Sequence, residues 1–271
     1  MAVLKALRQT PSTLRHNPIL FVPVLVILLF QIPQLVLQAV NPLIASIVSM
    51  ILSLALLFVM PFFQAGIVGM ADEALDGQTS LDSFLREGKS NYVSVLVASL
   101  VLVAVNFTIG FVAFFVAIFG GFALFSDTSG GVGTATLVIL GLIVALLVLA
   151  YLLFAFFVQF YSQAIVIDDL GAVDGLKHSI SVVRHHLVST LGYSVLVGVL
   201  GSIVGGVFGI GSLLASPQST GALHLPQVSI AGVVGVSFLI VAVGTLFGGF
   251  FGVYSVAFYR SINEGASDGL N

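Results

Sequence analysis

The sequence predicts an all-α fold: a polytopic membrane helical bundle of about six transmembrane helices, with three cytoplasmic-side interfacial amphipathic helices in a pseudo-threefold repeat. Three observations lead there. All eight Lys and Arg residues (Lys5, Arg8, Arg15, Arg86, Lys89, Lys177, Arg184, Arg260) fall in every second gap between long apolar stretches. Hydrophobic residues make up 59% of the chain and charged residues 7%, which leaves too little polar surface to cover a water-soluble globule. A leucine and a cation eight positions later precede an apolar run three times, as Leu7 and Arg15, Leu81 and Lys89, and Leu176 and Arg184.

A cation at the bilayer centre costs about 2.5–3.5 kcal/mol on insertion scales, and short loops rich in Lys and Arg stay in the cytoplasm. The alternation therefore places both termini on the cytoplasmic side of a cell membrane. The spans consume most of the 271 residues, so residues 1–271 read as a single integral membrane domain. Its repeat units cover about 3–75, 79–167 and 172–262, each an interfacial helix followed by two spans.

The first span opens at Ile19 and stays apolar to Val40 without a small-residue cleavage site. It therefore reads as a retained span kinked by Pro23 and Pro33, and not as a secretory signal. The second runs from about Leu43 to Met70, the third from Tyr92 to Phe125 and the fourth from Thr136 to Ile167. Leu187 to Ala215 gives the fifth, and Ser229 to Phe258 the sixth. Helical periodicity puts Val3, Leu4, Leu7 and Leu14 on one face of the first interfacial helix. Leu81, Phe84, Leu85 and Tyr92 share a face in the second, which Thr79 and Asp82 open as a capping box. Val173, Leu176, Ile180, Val183 and Leu187 do so in the third. Arg15, Lys89 and Arg184 are expected at the lipid headgroups.

Candidate chemistry is sparse. Asp174, His178, Ser181 and His185 fall on one side of a helix, but His185 lies roughly 10 Å further along than His178, so a hydrated face is expected instead of a metal site. Gly130 to Gly133 resembles a phosphate-cradling loop in letters only, since no lysine follows. Asn106 lies within the third span and is expected to bond across helices. The centres of the spans hold no Asp, Glu, Lys, Arg or His, which lowers ion-coupled pumping and voltage sensing. Cysteine is absent, which excludes disulfides and thiolate chemistry. Ten of the eleven acids, all but Asp127, share the cytoplasmic segments with the cations, so nothing suggests nucleic acid. No catalytic residue, metal or cofactor is expected.

Glycine spacing is the most specific intramembrane signal. Gly201, Gly205 and Gly209 recur every fourth residue, as do Gly244, Gly248 and Gly252, giving two smooth faces for close helix packing, whereas Val241 reads as lipid-facing.

The segment from Gln163 to Ser179, with its acids at Asp168 and Asp169, its Gly171 turn and the helix leading to Arg184, resembles a broad group of six-span membrane domains. One branch of that group accompanies glycerophosphodiester phosphodiesterases, and others stand alone in bacteria and haloarchaea. The resemblance implies a six-helix domain and carries no catalytic residue across. The expected function is a non-enzymatic scaffold or accessory subunit acting through the lipid bilayer or a membrane or cytoplasmic protein partner. The alternative is a transporter of a small molecule or lipid, which a polar cavity would favour.

Overall fold

The computed structural model describes residues 2–30, 32–33, 37, 41–125, 134–215 and 229–268. The Gly130 to Gly133 stretch and most of the expected Pro33 kink lie outside them. The described residues form helices without strands: α1 (Ala2–His16), a 3-10 turn (Pro18–Leu20), α2 (Phe21–Leu29), α3 (Pro42–Asp76), α4 (Leu81–Ser90), α5 (Tyr92–Phe125), α6 (Thr134–Val158), α7 (Tyr161–Ile167), α8 (Ala172–His185), α9 (Leu187–Ala215) and α10 (Ile230–Asp268). Among the described residues, five helices are long and apolar enough to cross a membrane, or six if the pair α1 and Pro18–Leu29, bent by 97°, counts as one. That is the all-α bundle the sequence predicts, and it is compatible with a multi-pass membrane protein.

Local chemistry sets the helix ends. Asn41 starts α3, its side-chain oxygen accepting from the Leu43 and Ile44 amides at 3.2 Å, and Pro42 occupies a first-turn position where no N–H is needed. Ser80, not Thr79, caps α4: its hydroxyl accepts from the Ser83 amide at 3.3 Å. The Thr79 hydroxyl instead donates to Glu73 at 2.8 Å, which replaces the expected capping box. Asp169 takes a left-handed φ of 53° in the turn before α8, a conformation that Asp tolerates better than most residues.

The short helices close a ring. α4 packs on α3, α8 on α7 and α1 on α10, so each rests on the last span of the preceding unit and the first unit closes on the third. The buried positions keep one register: Thr10, Phe84 and Ser179 lie three residues after the repeated leucine, and Leu14, Gly88 and Val183 seven after it. The apolar faces divide: Leu14, Phe84 and Val183 pack inward, whereas Leu4, Leu81, Leu85 and Val173 are exposed. Beside the inward residues lie the buried small ones Ala6, Thr10, Ser83, Gly88, Gly175 and Ser179, which let each short helix approach its span.

A further shared position ends each short helix. Asn17, Asn91 and His186, two residues after the repeated cation, each place a side-chain nitrogen near the carbonyl oxygen four residues back, at 3.3, 3.3 and 3.1 Å. The same carbonyl also accepts the backbone amide of that residue, so the side chain adds a second bond to the last helical carbonyl where the chain turns into the span.

Candidate functional site

Three glutamines organise the centre of the bundle. Gln64 sits on α3, Gln159 in the break between α6 and α7, and Gln163 on α7. A turn at Gln159 and Phe160 separates α6 from α7 within the fourth span, which at Leu137–Ile167 still counts as one apolar stretch, as the sequence suggested. It is held by Ser179 on α8, whose hydroxyl donates to the Phe157 carbonyl at 2.9 Å and accepts from the Phe160 amide at 3.1 Å.

These glutamines line a crevice of about 520 Å³ with Ser162, Tyr193 and Ser255, over apolar walls that include Val24, Ile27, Phe63 and Phe251. All three repeat units contribute. The Tyr161 hydroxyl donates to Gln64 Oε1 at 2.8 Å and stands 3.3 Å from the Ser99 hydroxyl. Ser194 donates to Gln159 Oε1 at 3.1 Å, and Gln159 Nε2 donates to the Phe156 carbonyl at 2.9 Å. Ser162 donates to Gln163 Oε1 at 3.0 Å. Gln159 thus spends both ends of its amide on protein, whereas Gln64 and Gln163, which line the crevice, are each bonded at Oε1. Among the described residues, no carboxylate, amine, guanidinium or imidazole lines the crevice.

The crevice lies one to two helical turns inside a polar girdle that joins the ends of the units. Arg260 on α10 reaches Asp72 and Asp76 on α3, with Nη1 to Asp72 Oδ1 at 3.5 Å. The Tyr259 hydroxyl donates to Asp168, and His178 Nε2 lies 3.5 Å from the same carboxylate. His178 is therefore turned away from the His185 it was grouped with. His185 Nδ1 faces the Ser181 carbonyl at 2.7 Å and Asp174 lies 3.7 Å from Lys177, so the cluster read from the sequence does not converge on one point.

The glycine expectation divides between its two helices. A Cβ at Gly244 would meet Leu28 at 2.9 Å, at Gly248 Val24 at 2.6 Å and at Gly252 Ile67 at 3.1 Å, so this face of α10 receives α2 and α3. Among the described residues, a Cβ at Gly201, Gly205 or Gly209 would meet nothing within 4 Å, so the close packing expected on that face of α9 is not seen among them. Val241, expected to face lipid, is 5% exposed. Asn106 bonds within its own helix, donating to the Leu102 carbonyl at 2.8 Å, so the interhelical bond expected of it is also absent among the described residues. Arg15, Lys89 and Arg184 are all exposed on the short helices at the same end of the bundle.

The crevice itself was missed in the sequence. Its signal was present in Gln64-Ala65 and Gln163-Ala164, which recur in two units as polar groups inside apolar helices. No curated protein and no solved structure matches the chain, and nothing found links it to the membrane domains of phosphodiesterases. A family model described as a domain of unknown function, DUF7847, matches residues 1–262, and the chain belongs to that family.

Proposed function

We propose that the protein is a multi-pass protein of the cell membrane, with its basic end and both termini in the cytoplasm, that holds a small uncharged polar solute in the central crevice and passes it across the bilayer. One observation carries this reading: amides and hydroxyls from all three units line a space of about 520 Å³ within an otherwise apolar bundle. An amide end left without a partner in a dry site costs roughly 1–3 kcal/mol, which a solute able to donate and accept would offset. An ion would enter without a countercharge, against a desolvation cost of several kcal/mol. A polyol, a urea-like amide or a small alcohol is the class that fits. The reading is non-enzymatic, because the crevice groups are poor general acids and bases near neutral pH.

The test is solute flux into vesicles containing the purified protein, followed by light scattering after a glycerol or urea gradient. The protein is expected to speed equilibration, and Gln163→Leu to return it toward the rate of empty vesicles. Equal rates with and without the protein for a panel of neutral solutes would sink the transport reading.

Asn106 favours a second reading, the scaffold or accessory subunit. It lies near the middle of α5 and is exposed, with one amide hydrogen on Leu102 and the rest of the amide turned outward. An amide facing hydrocarbon gains from a partner helix, at about 0.6–2 kcal/mol. Phe107, beside it, is 73% exposed, so a single cysteine there is placed to cross-link to a neighbour in native membranes. A discrete cross-linked species would support this reading, and its absence would count against it.

A further inference from the structure

A second feature, remote from the crevice, occupies the corner where α4 turns into α5. Phe58, Val59 and Phe62 of α3, together with Lys89 and Tyr92, enclose a surface groove of about 380 Å³. The Tyr92 hydroxyl donates to the Phe58 carbonyl at 3.1 Å and fixes the first turn of α5 on α3. The floor is apolar and open: Phe58 is 51% and Val59 41% exposed. Arg86, one turn before Lys89, is held by Glu87 at 3.1 Å. Among the described residues no carboxylate pairs with Lys89, so its charge at the lip is uncompensated.

The third unit gives an internal comparison. Aligning Gln64-Ala65 with Gln163-Ala164 sets Phe157 opposite Phe58, and the repeat register sets Arg184 opposite Lys89. There the guanidinium carbon lies 5.9 Å from the Phe157 ring centre, so the cation covers its own aromatic. In the second unit the same two positions frame the open groove instead.

We infer that this groove binds one anionic phospholipid, its phosphate on the Lys89 ammonium and an acyl chain along Phe58, Val59 and Phe62. A cation at the edge of an exposed apolar floor matches a molecule whose negative head is joined to an apolar tail. Free phosphate would leave the floor uncovered, and a zwitterionic lipid would bring no net charge to Lys89. The inference rests on the membrane placement proposed above and is independent of the solute in the crevice.

Native mass spectrometry of the full chain, released from detergent doped with phosphatidylglycerol or phosphatidylcholine, tests it. One phosphatidylglycerol is expected to be retained in preference to phosphatidylcholine. Lys89→Gln should lower that retention about fivefold, the factor corresponding to about 1 kcal/mol for one cation beside anionic lipid. Lys89→Arg should restore it, and Arg184→Gln, the same charge change at the covered corner, should leave it unaltered. Val59→Trp fills the groove while keeping the cation, and should abolish retention. Equal retention of the two lipids, no effect of Lys89→Gln, an equal loss in Arg184→Gln or full binding by Val59→Trp would each overturn the site. The Lys89 variants change only an exposed side chain, so they decide the matter even if Val59→Trp fails to fold. Failure of the membrane placement reads differently, as protein recovered in the soluble fraction without detergent.

Discussion

Arg260 holds Asp76 through both terminal nitrogens, Nη1 to Oδ2 at 2.9 Å and Nη2 to Oδ1 at 3.0 Å, while Nη1 also donates to the Asp72 carbonyl at 3.2 Å. The cation belongs to the third unit and the acids to the first, so this contact helps to close the ring that α1 closes by packing on α10. Tyr259, the preceding residue, ties the same helix to Asp168 of the second unit. One turn of α10 thus joins all three units.

Arg260→Gln is expected to destabilise the protein by about 1 kcal/mol. Charge-assisted bonds contribute roughly 1.5–3 kcal/mol when sheltered, and exposure lowers that figure toward the range of surface pairs. The side chains of Arg260 and Asp76 are 29% and 68% exposed, which places this pair near the lower end. Thermal unfolding in detergent at low and high salt measures it, and the loss should shrink as salt screens the pair. Equal melting of the two proteins at low salt would mean that the ring closes without help from this contact.

Asn17 makes a second link. It is 3% exposed, its Nδ2 donates to the Gly77 carbonyl at 3.0 Å, and its Oδ1 accepts from the Thr79 amide at 3.0 Å. One side chain thereby clamps the connection between the first two units. Asn17→Ala removes both bonds and should cost about 1 kcal/mol, since Gly77 is exposed and Thr79 half-buried, so water reaches the freed groups and the loss is that of ordinary hydrogen bonds, roughly 0.5–1.5 kcal/mol each. Asn91→Ala, whose bonds stay within its own helix end, should cost less than half as much. Limited proteolysis around Gly77 to Thr79 should quicken in the Asn17 variant, and unchanged cleavage would contradict the clamp.

The distribution of cations makes a separate prediction about sidedness. Because the chain has no cysteine, single cysteines at Ser90, Asp174 and Gly269 should be labelled only from the cytoplasm, and those at Thr128 and Ser219 only from outside. External labelling at Asp174 would break the alternation on which the six-span topology rests.

What was legible in the sequence was whatever apolar length and flanking polarity determine. Tyr92–Phe125 and Leu187–Ala215 begin and end where the letters indicated, because a polar residue or turn bounds each run. The break at Gln159 was not legible, since it depends on Ser179 reaching back from another helix. The contact faces of α1, α4 and α8 were legible in part: Leu14, Phe84 and Val183 of the apolar faces pack inward. The small residues Ala6, Gly88 and Gly175, which let each helix approach its span, carry no strong hydropathy signal. The crevice needed Gln64, Gln163 and Tyr193 to be brought together from distant segments, and no local pattern encodes that meeting.

The two glycine series show the same limit in a form that experiment resolves, because equal spacing in the sequence meets opposite surroundings in the fold. A side chain at Gly248 would run into Val24 at 2.6 Å, and one at Gly244 into Leu28 at 2.9 Å and Phe208 at 3.0 Å. Gly248→Leu should therefore push α2 from α10 and cost about 1–3 kcal/mol, the usual range for overpacking a filled contact. Gly205→Leu adds its side chain to open space, and replacing glycine within a helix removes a propensity penalty of about 0.8–1 kcal/mol relative to alanine, so it should be neutral or mildly stabilising. Gly205 is the proper control for this comparison, since Val241 is 5% exposed and packed in the interior. Melting of the two variants in the same detergent decides the point. A lower midpoint for Gly205→Leu than for Gly248→Leu would mean that the crowded glycine face belongs to α9, and the packing of α2 and α3 on α10 would have to be abandoned.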